Sequence, residues 1–233
     1  MSSTRPALIV FCREPILHQA KTRLIGAITP SAAAALSDAF IRDVLAKAAA
    51  VRPSRIIIAA STLDGVWRSN YFRRLARRFD ADLIDQAKGS LGRRMATALT
   101  PFSSRGALLI GTDTPSLPTE LLALSLRALA RNRVIVAPSL DGGYYAVGVR
   151  GAMPPIFSGI RWGSSKVLDA TIKRLKRARI RYAAGPAWYD IDRWPDLVLL
   201  AAHLRMHRRS RQPSPCPATE SVLKRLGLLR HDS

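Results

Sequence analysis

The sequence predicts an α/β domain: a mostly parallel sheet with helices on both faces. Three observations predict it. The apolar runs at 7–11, Ile56-Ile57-Ile58 and Leu108-Leu109-Ile110 lack the polar alternation of a half-exposed strand, so they read as strands buried on both sides. Between such runs lie stretches whose apolar residues recur every four positions, as in Leu36, Phe40, Val44 and Ala48, which is one face of a helix. The run at 108–110 then passes into Asp113 and Pro115. The proline ends ladder pairing and fixes a turn, so the carboxylate sits at the carboxyl end of a central strand, where open α/β sheets hold their ligands.

The elements follow in order. Strand 7–11 opens the chain. Thr29-Pro30 starts a helix with a capping hydroxyl and a proline at its first position. Strand 55–60 follows, then a helix with Trp67, Tyr71, Leu75 and Phe79 on its inner face. A weak strand at 81–84 precedes a helix entered through Gly89-Ser90, with Leu91, Met95 and Leu99 inside. After the strand before Asp113 come a helix at 118–130 and a strand at 134–137. Asp141-Gly142-Gly143 forms a turn into strand 144–149. A basic amphipathic helix at 164–178, capped by Ser164 or Ser165, puts Val167, Leu168, Thr171 and Leu175 inside. A weak strand at 180–184 and a helix at 195–207 complete the pattern. This alternation argues for strands covered from both sides. The expected organisation is a single domain over 1–207. A basic, flexible tail over 208–233 follows, with a short helix at 219–229.

Composition narrows the function classes. The chain has 233 residues and is 48% hydrophobic, enough for one substantial core. No apolar run approaches the roughly 20 residues of a membrane span. Two cysteines, Cys12 and Cys216, imply neither a disulfide framework nor a cysteine metal site, and the cytoplasm is the expected compartment. The net charge of +21 invites a nucleic-acid reading. However, 30 of the 37 cations are arginines spread over many helices, and only 6% of residues are aromatic. That leaves little material for base stacking, so the basic surface points to anionic small molecules rather than to specific nucleic acid.

Carboxylates are scarce: 16 Asp and Glu in all, of which three are Glu. Three aspartates nevertheless fall between 190 and 196, as Asp190, Asp192 and Asp196. In an extended segment Asp190 and Asp192 point to one side. Their mutual repulsion calls for a nearby cation, either an arginine or a divalent ion. Hard oxygens from Asp113, Asp190 and Asp192 suit Mg²⁺ or Mn²⁺ shared with a phosphate. A lone Asp113 would also serve as a helix cap; the second acidic cluster is what favours a site. The loop at 12–26 carries Arg13, Lys21, Thr22 and Arg23. Placed after the first strand, it reads either as a polyphosphate cradle or as an ordinary basic loop. Asp141, Gly142, Gly143 and Tyr144 read as a hairpin turn whose backbone would meet an acceptor. His203 and His207 have the i, i+4 spacing of zinc ligands but no third ligand nearby. Neither a nucleophile elbow nor a Ser-His-Asp arrangement can be assembled.

Five segments in this order resemble a known family: Phe11…Pro15…Lys21-Thr22-Arg23-Leu24; Gly89-Ser90-Leu91-Gly92-Arg93-Arg94-Met95; Gly111-Thr112-Asp113-Thr114-Pro115; Asp141-Gly142-Gly143-Tyr144-Tyr145; and Asp190-Ile191-Asp192. Across residues 7–205 the chain resembles the DUF2064, or radical-SAM/selenodomain-associated, transferases of the nucleotide-diphospho-sugar transferase (GT-A-like) superfamily. It is similar more distantly to molybdenum-cofactor guanylyltransferases. The chain departs from the family pattern at Arg13 and His18 in the first loop, where Lys and Gly are usual. It departs again at Arg193-Trp194-Pro195 after Asp192, where Thr-Pro-Glu is usual.

The resemblance implies a three-layer α/β/α, Rossmann-like GT-A domain and a nucleotide or nucleotide-sugar donor. It implies that Asp113 and Lys21 are catalytic. Arg13, Lys21, Thr22, Arg23 and Gly92 would hold nucleotide phosphates, and Asp113, Asp190 and Asp192 a Mg²⁺ or Mn²⁺. The acceptor would be a small molecule, unidentified, near Asp141, Gly142, Gly143 and Tyr144. Glycosyl transfer from a nucleotide-diphospho-sugar comes first. Nucleotidyl transfer with release of pyrophosphate is the alternative, and a non-enzymatic nucleotide- or nucleic-acid-binding protein the third. Oligomeric state is left open.

Overall fold

A computed structural model describes residues 5–229. Seven strands form one sheet: β1 (Ala7–Arg13), β2 (Ile56–Ser61), β3 (Ala81–Asp85), β4 (Ala107–Gly111), β5 (Val134–Pro138), β6 (Tyr144–Val149) and β7 (Tyr182–Ala184). Their order across the sheet is β3-β2-β1-β4-β6-β5-β7. Only β6 runs antiparallel to its neighbours, β4 and β5. The other pairs are parallel, so six strands end on one edge. The β/α alternation therefore has the mostly parallel, doubly covered outcome expected of it.

Both faces of the strands are buried. Leu8, Val10 and Cys12 of β1 face a core shared with α1 (Pro30–Ala50), α2 (Asn70–Phe79) and α4 (Thr119–Arg131). Ala7 and Ile9 face a second core with α3 (Leu91–Leu99) and α5 (Val167–Arg177). Each large side chain taken fully out of water in these layers contributes roughly 1.5–3 kcal/mol. Helix α1 begins as the sequence predicts: Thr29 Oγ1 accepts from Ala32 N at 3.2 Å, and Pro30 follows.

Two helical faces differ from expectation. Trp67 lies before α2 and is 62% exposed, and the buried residues of that helix are Phe72 and Leu75. Leu91 starts α3 but is half-exposed, leaving Met95, Ala98 and Leu99 to face the core. The expected serine cap of α5 is also absent. Ser164 Oγ donates to Arg161 O instead, and Val167 N to the Ser164 carbonyl.

Of the segment expected as a flexible tail, 216–229 is packed, and 230–233 lies outside the described residues. Helix α6 (Trp194–Arg209) runs two residues past 207, and α7 (Pro217–Arg225) follows. Cys216, Val222, Leu223 and Leu229 are buried in a third core with Leu36 and Phe40 of α1 and Leu197, Leu200 and Leu204 of α6. Asp43 of α1 accepts hydrogen bonds from Ala218 N (3.0 Å), Thr219 N (2.8 Å) and Thr219 Oγ1 (2.6 Å). A carboxylate from another helix thus satisfies the free amides at the start of α7, which has no side-chain cap of its own.

Candidate active site

The sheet reverses its winding between β1 and β4, since β2 and β3 lie on one side and the later strands on the other. Ligands of open α/β sheets bind outside the strand ends at such a point. Here a cleft of about 630 Å³ opens there, lined by residues from the loops after β1, β3 and β4, the β5–β6 hairpin and the segment before α6.

The first loop delivers Lys21. Leu24, in the short 3-10 turn Thr22–Leu24, is buried against Leu36 and Phe40, which fixes the turn. Lys21 precedes it in the left-handed region, at φ 46° and ψ 43°, a conformation that surrounding structure must hold in place. Its ammonium lies 2.7 Å from Asp113 Oδ1 and 3.0 Å from Asp192 Oδ1. It also donates to the Ile191 carbonyl at 2.5 Å and lies over the Phe40 ring. The three N–H donors of the ammonium are therefore all engaged. Burial pushes Lys21 down, but Asp113 and Asp192 outweigh it and hold the ammonium above its ordinary pKa.

The acidic segment is held as firmly. Ile191 N donates to the Asp113 carbonyl at 2.8 Å, and the Ile191 side chain is buried. Asp190 and Asp192 on either side both line the cleft, as the two-residue period of an extended chain requires. Asp196 is not part of the site. Its Oδ2 accepts from Asp192 N (3.0 Å) and Arg193 N (2.7 Å), so it caps α6 and braces the turn. Asp192 also meets Arg23, Nη1 to Oδ2 at 3.2 Å.

The cation that the repulsion argument demanded is thus lysine. It bridges Asp192 to Asp113 rather than to Asp190. Asp190 makes no ion pair among the described residues. Burial, then Asp141, and more weakly Asp192 and Asp113, raise its carboxyl from the ordinary 3.8 to about 6. The folded state therefore binds more protons than the unfolded chain between about pH 4 and 6, and Asp190 costs stability as pH rises through that window. Asp190→Asn should raise the melting temperature above pH 6, and the gain should vanish below about pH 4. A melting temperature unchanged at pH 8 would contradict this.

Two arginines line the same cleft. Gln86 donates from Nε2 to Cys12 O and Ala59 O, both at 2.8 Å, and so ties the ends of β1 and β2 together. Arg94 hydrogen-bonds to Gln86 Oε1 and lies over the Phe11 ring. Burial, and then Arg13, pull Arg94 below its ordinary pKa. Neither Arg13 nor Arg94 pairs with a carboxylate among the described residues, and both line the cleft. Gln86 and Arg94 were not singled out from the sequence. The adjacent Gly89–Arg94 motif was the signal that could have found Arg94, whereas nothing local marks Gln86.

The other expected residues divide. Thr22, Asp141, Gly143 and Tyr144 line the cleft. Tyr144 stands edge-on to Trp162, with centroids 6.2 Å apart. Asp141 Oδ1 accepts from Gly143 N at 2.8 Å and from Ser139 Oγ, which shapes the hairpin turn. Gly92 and Gly142 are not on the cleft wall. A Cβ on Gly92 would lie 2.0 Å from the Phe157 carbonyl oxygen, and one on Gly142 2.2 Å from that of Ser165. Both glycines allow close packing. Gly92 lets α3 approach the 157–162 segment, and the Gly142 carbonyl receives Leu168 N at 3.0 Å. His203 and His207 hydrogen-bond to each other at 3.1 Å, and His203 to Tyr189 at 2.6 Å, away from the cleft.

The donor chemistry fits a hard divalent ion. Four aspartates, Asp113, Asp141, Asp190 and Asp192, line one cleft, and Asp190 lacks a countercharge. Among the described residues, no three His, Cys, Asp or Glu side chains form a ready-made metal group, since Lys21 stands between Asp113 and Asp192.

Residues 44–164 match the profile of a family described as an uncharacterized protein conserved in bacteria, DUF2064. Among solved structures, a protein of Desulfovibrio desulfuricans G20, provisionally described as a nucleotide-diphospho-sugar transferase, is similar over 97% of this chain and 96% of its own. It is 27% identical, with a TM-score of 0.81. A cytidylyltransferase of Leptospira borgpetersenii serovar Hardjo-bovis is 12% identical over 98% of both chains, with a TM-score of 0.57. A 4-diphosphocytidyl-2C-methyl-D-erythritol synthase of Anaerococcus prevotii is 10% identical, covering 87% of this chain and 100% of its own, with a TM-score of 0.55. The last two share the fold. No curated protein matches the sequence.

Proposed function

The chain belongs to the DUF2064 family, and from that and the cleft we propose that it is a transferase that binds a nucleotide-activated donor and transfers a glycosyl group from a nucleotide-diphospho-sugar. One observation carries the reading. At the switch point of the sheet, Lys21 holds Asp113 and Asp192 together at 2.7 and 3.0 Å, in a cleft that Arg13 and Arg94 also line. Such a site offers oxygen ligands and phosphate-binding cations at the same mouth. The similarity to the Desulfovibrio protein adds support.

The roles follow from the donors each group has left. Lys21 has none free, so it orders the two carboxylates. Contact with the donor phosphates falls to Arg13 and Arg94, which carry unneutralised charge. Thr22 adds a hydroxyl at the same loop. Asp190, with Asp113 and Asp192, would hold Mg²⁺ or Mn²⁺, which when bound would neutralise charge on the leaving phosphate. The acceptor would lie on the side of Asp141, Gly143 and Tyr144. There its hydroxyl attacks the anomeric carbon and gives up its proton to water, the bond to the diphosphate breaks, and nucleoside diphosphate leaves.

A second reading, nucleotidyl transfer, is favoured by the Arg13–Arg94 pair, because two unpaired cations suit a triphosphate. Product analysis separates the readings. The protein is incubated with nucleotide sugars and with nucleoside triphosphates, each with Mg²⁺ or Mn²⁺. Release of nucleoside diphosphate from a nucleotide sugar supports glycosyl transfer, and release of pyrophosphate from a triphosphate supports the second. A protein that binds none of these ligands, with either metal, would overturn both.

A further inference from the structure

Helix α6 carries apolar residues on two opposite sides. Its inner side, Leu197, Leu200, Ala201 and Leu204, is buried in the third core. At 100° per residue, the outward side carries Pro195, Val198, Leu199, Ala202 and Met206. These fall at i, i+3, i+4, i+7 and i+11, a continuous stripe. Val198, Leu199 and Met206 are 46%, 51% and 58% exposed, and Trp194 at the start of the helix is 36% exposed. An apolar stripe on a helix normally faces a core or another covering surface. This one has no covering element among the described residues.

The charges around the stripe indicate what covers it. The only acid of α6 is Asp196, whose oxygen is already used by two backbone amides. At the same 100° per residue, Arg205, which donates to Leu228 O at 3.0 Å, and Arg209 lie beside the stripe and Arg211 follows the helix, whereas Arg208 lies toward the buried side and meets Glu220 at 4.0 Å. We infer that the outward face of α6 docks on an anionic membrane surface, with the apolar stripe in the acyl boundary and the arginines among the headgroups. An apolar stripe edged by cations, with a tryptophan at one end, is the pattern of an interfacial helix. A second copy of the chain fits less well, since docking α6 on α6 sets arginine borders against each other in molecules of net charge +21. The contact is peripheral, because no helix among the described residues is long and apolar enough to cross a membrane. Trp194 follows Asp192 by two residues, so docking brings the mouth of the cleft beside the bilayer. The inference stands independently of the reaction catalysed.

The test is flotation of the full chain with vesicles of equimolar phosphatidylglycerol and phosphatidylcholine, and of phosphatidylcholine alone. The expected result is binding to the anionic vesicles about tenfold or more tighter than to neutral ones. Leu199→Glu/Met206→Glu should lose about tenfold or more of it. Arg74→Gln/Arg177→Gln changes net charge by the same amount at remote exposed sites and should lose little. Leu199→Ser/Met206→Ser, with unchanged charge, guards against a folding defect and should also weaken binding. Failure of the parent chain to bind anionic vesicles would overturn the inference, as would equal losses in the stripe and remote variants. So would a concentration-dependent dimer that the stripe variants dissolve.

Discussion

Gly92→Ala should be strongly destabilising. The added carbon would lie 2.0 Å from the Phe157 carbonyl oxygen and 2.7 Å from the Trp162 ring. The nearest obstacle is backbone, which cannot swing aside as a side chain would. Overpacking of this kind costs about 3 kcal/mol or more. At roughly 2–4 °C per kcal/mol for a chain of this size, the melting temperature should fall by about 6–12 °C. Gly111→Ala is the control. Its Cβ would meet only the Tyr145 carbonyl, at 3.9 Å, an ordinary contact, and the melting temperature should move little. Similar melting temperatures for the two variants would refute the packing role given to Gly92 and return it to the list of phosphate-binding candidates.

The second large effect is expected far from the cleft. Asp43→Ala leaves Ala218 N, Thr219 N and Thr219 Oγ1 without their shared acceptor, in a region where Asp43 and Thr219 are both buried. Unsatisfied buried donors cost roughly 1–3 kcal/mol each, so a loss of about 3 kcal/mol is expected, with α7 released from α1. Limited proteolysis between α6 and α7 should accelerate. Asp43→Asn keeps one acceptor oxygen and should fall between parent and alanine variant. Proteolysis of Asp43→Ala at the parent rate would show that apolar contacts alone hold α7.

These two sites also mark where sequence reasoning stops. Strands such as 108–110 were legible because burial on both faces leaves a run of aliphatic residues. The run at 108–110, ended by Pro115, placed Asp113 at a strand end, whereas the order of the strands is not legible in local pattern. Asp190 and Asp192 could be assigned to one side because the period of an extended chain is fixed by geometry. What could not be read was every feature set by contacts remote in sequence. Nothing local tells that Lys21 would spend its three donors on Asp113, Asp192 and Ile191 rather than on a phosphate. The segment after 207 looked flexible because its own residues show no apolar period. Its order comes from α1, through a carboxylate 175 and 176 residues away. Gly92 resembled a phosphate-loop glycine, and only the position of Phe157 shows why a side chain is excluded. Trp67 and Leu91 had the right spacing for a helical face, but α2 begins only at Asn70, after Trp67, and Leu91, at the first position of α3, stays 38% exposed.

The central claim is that the cleft binds donor phosphates through unpaired arginines, beside carboxylates ordered by Lys21. Calorimetric titration of nucleotide with Mg²⁺ into Arg13→Ala, Arg94→Ala, Arg74→Ala and Arg177→Ala tests it most directly. The cleft variants should lose about 1.5–3 kcal/mol of affinity each, as for a charge-assisted hydrogen bond, and the loss should disappear with a nucleoside that lacks phosphates. Arg74 and Arg177 lie on exposed helix faces, and their variants should bind as the parent does. Equal small losses at all four positions would contradict the account, because they would mean that diffuse positive charge, and not this cleft, attracts the nucleotide.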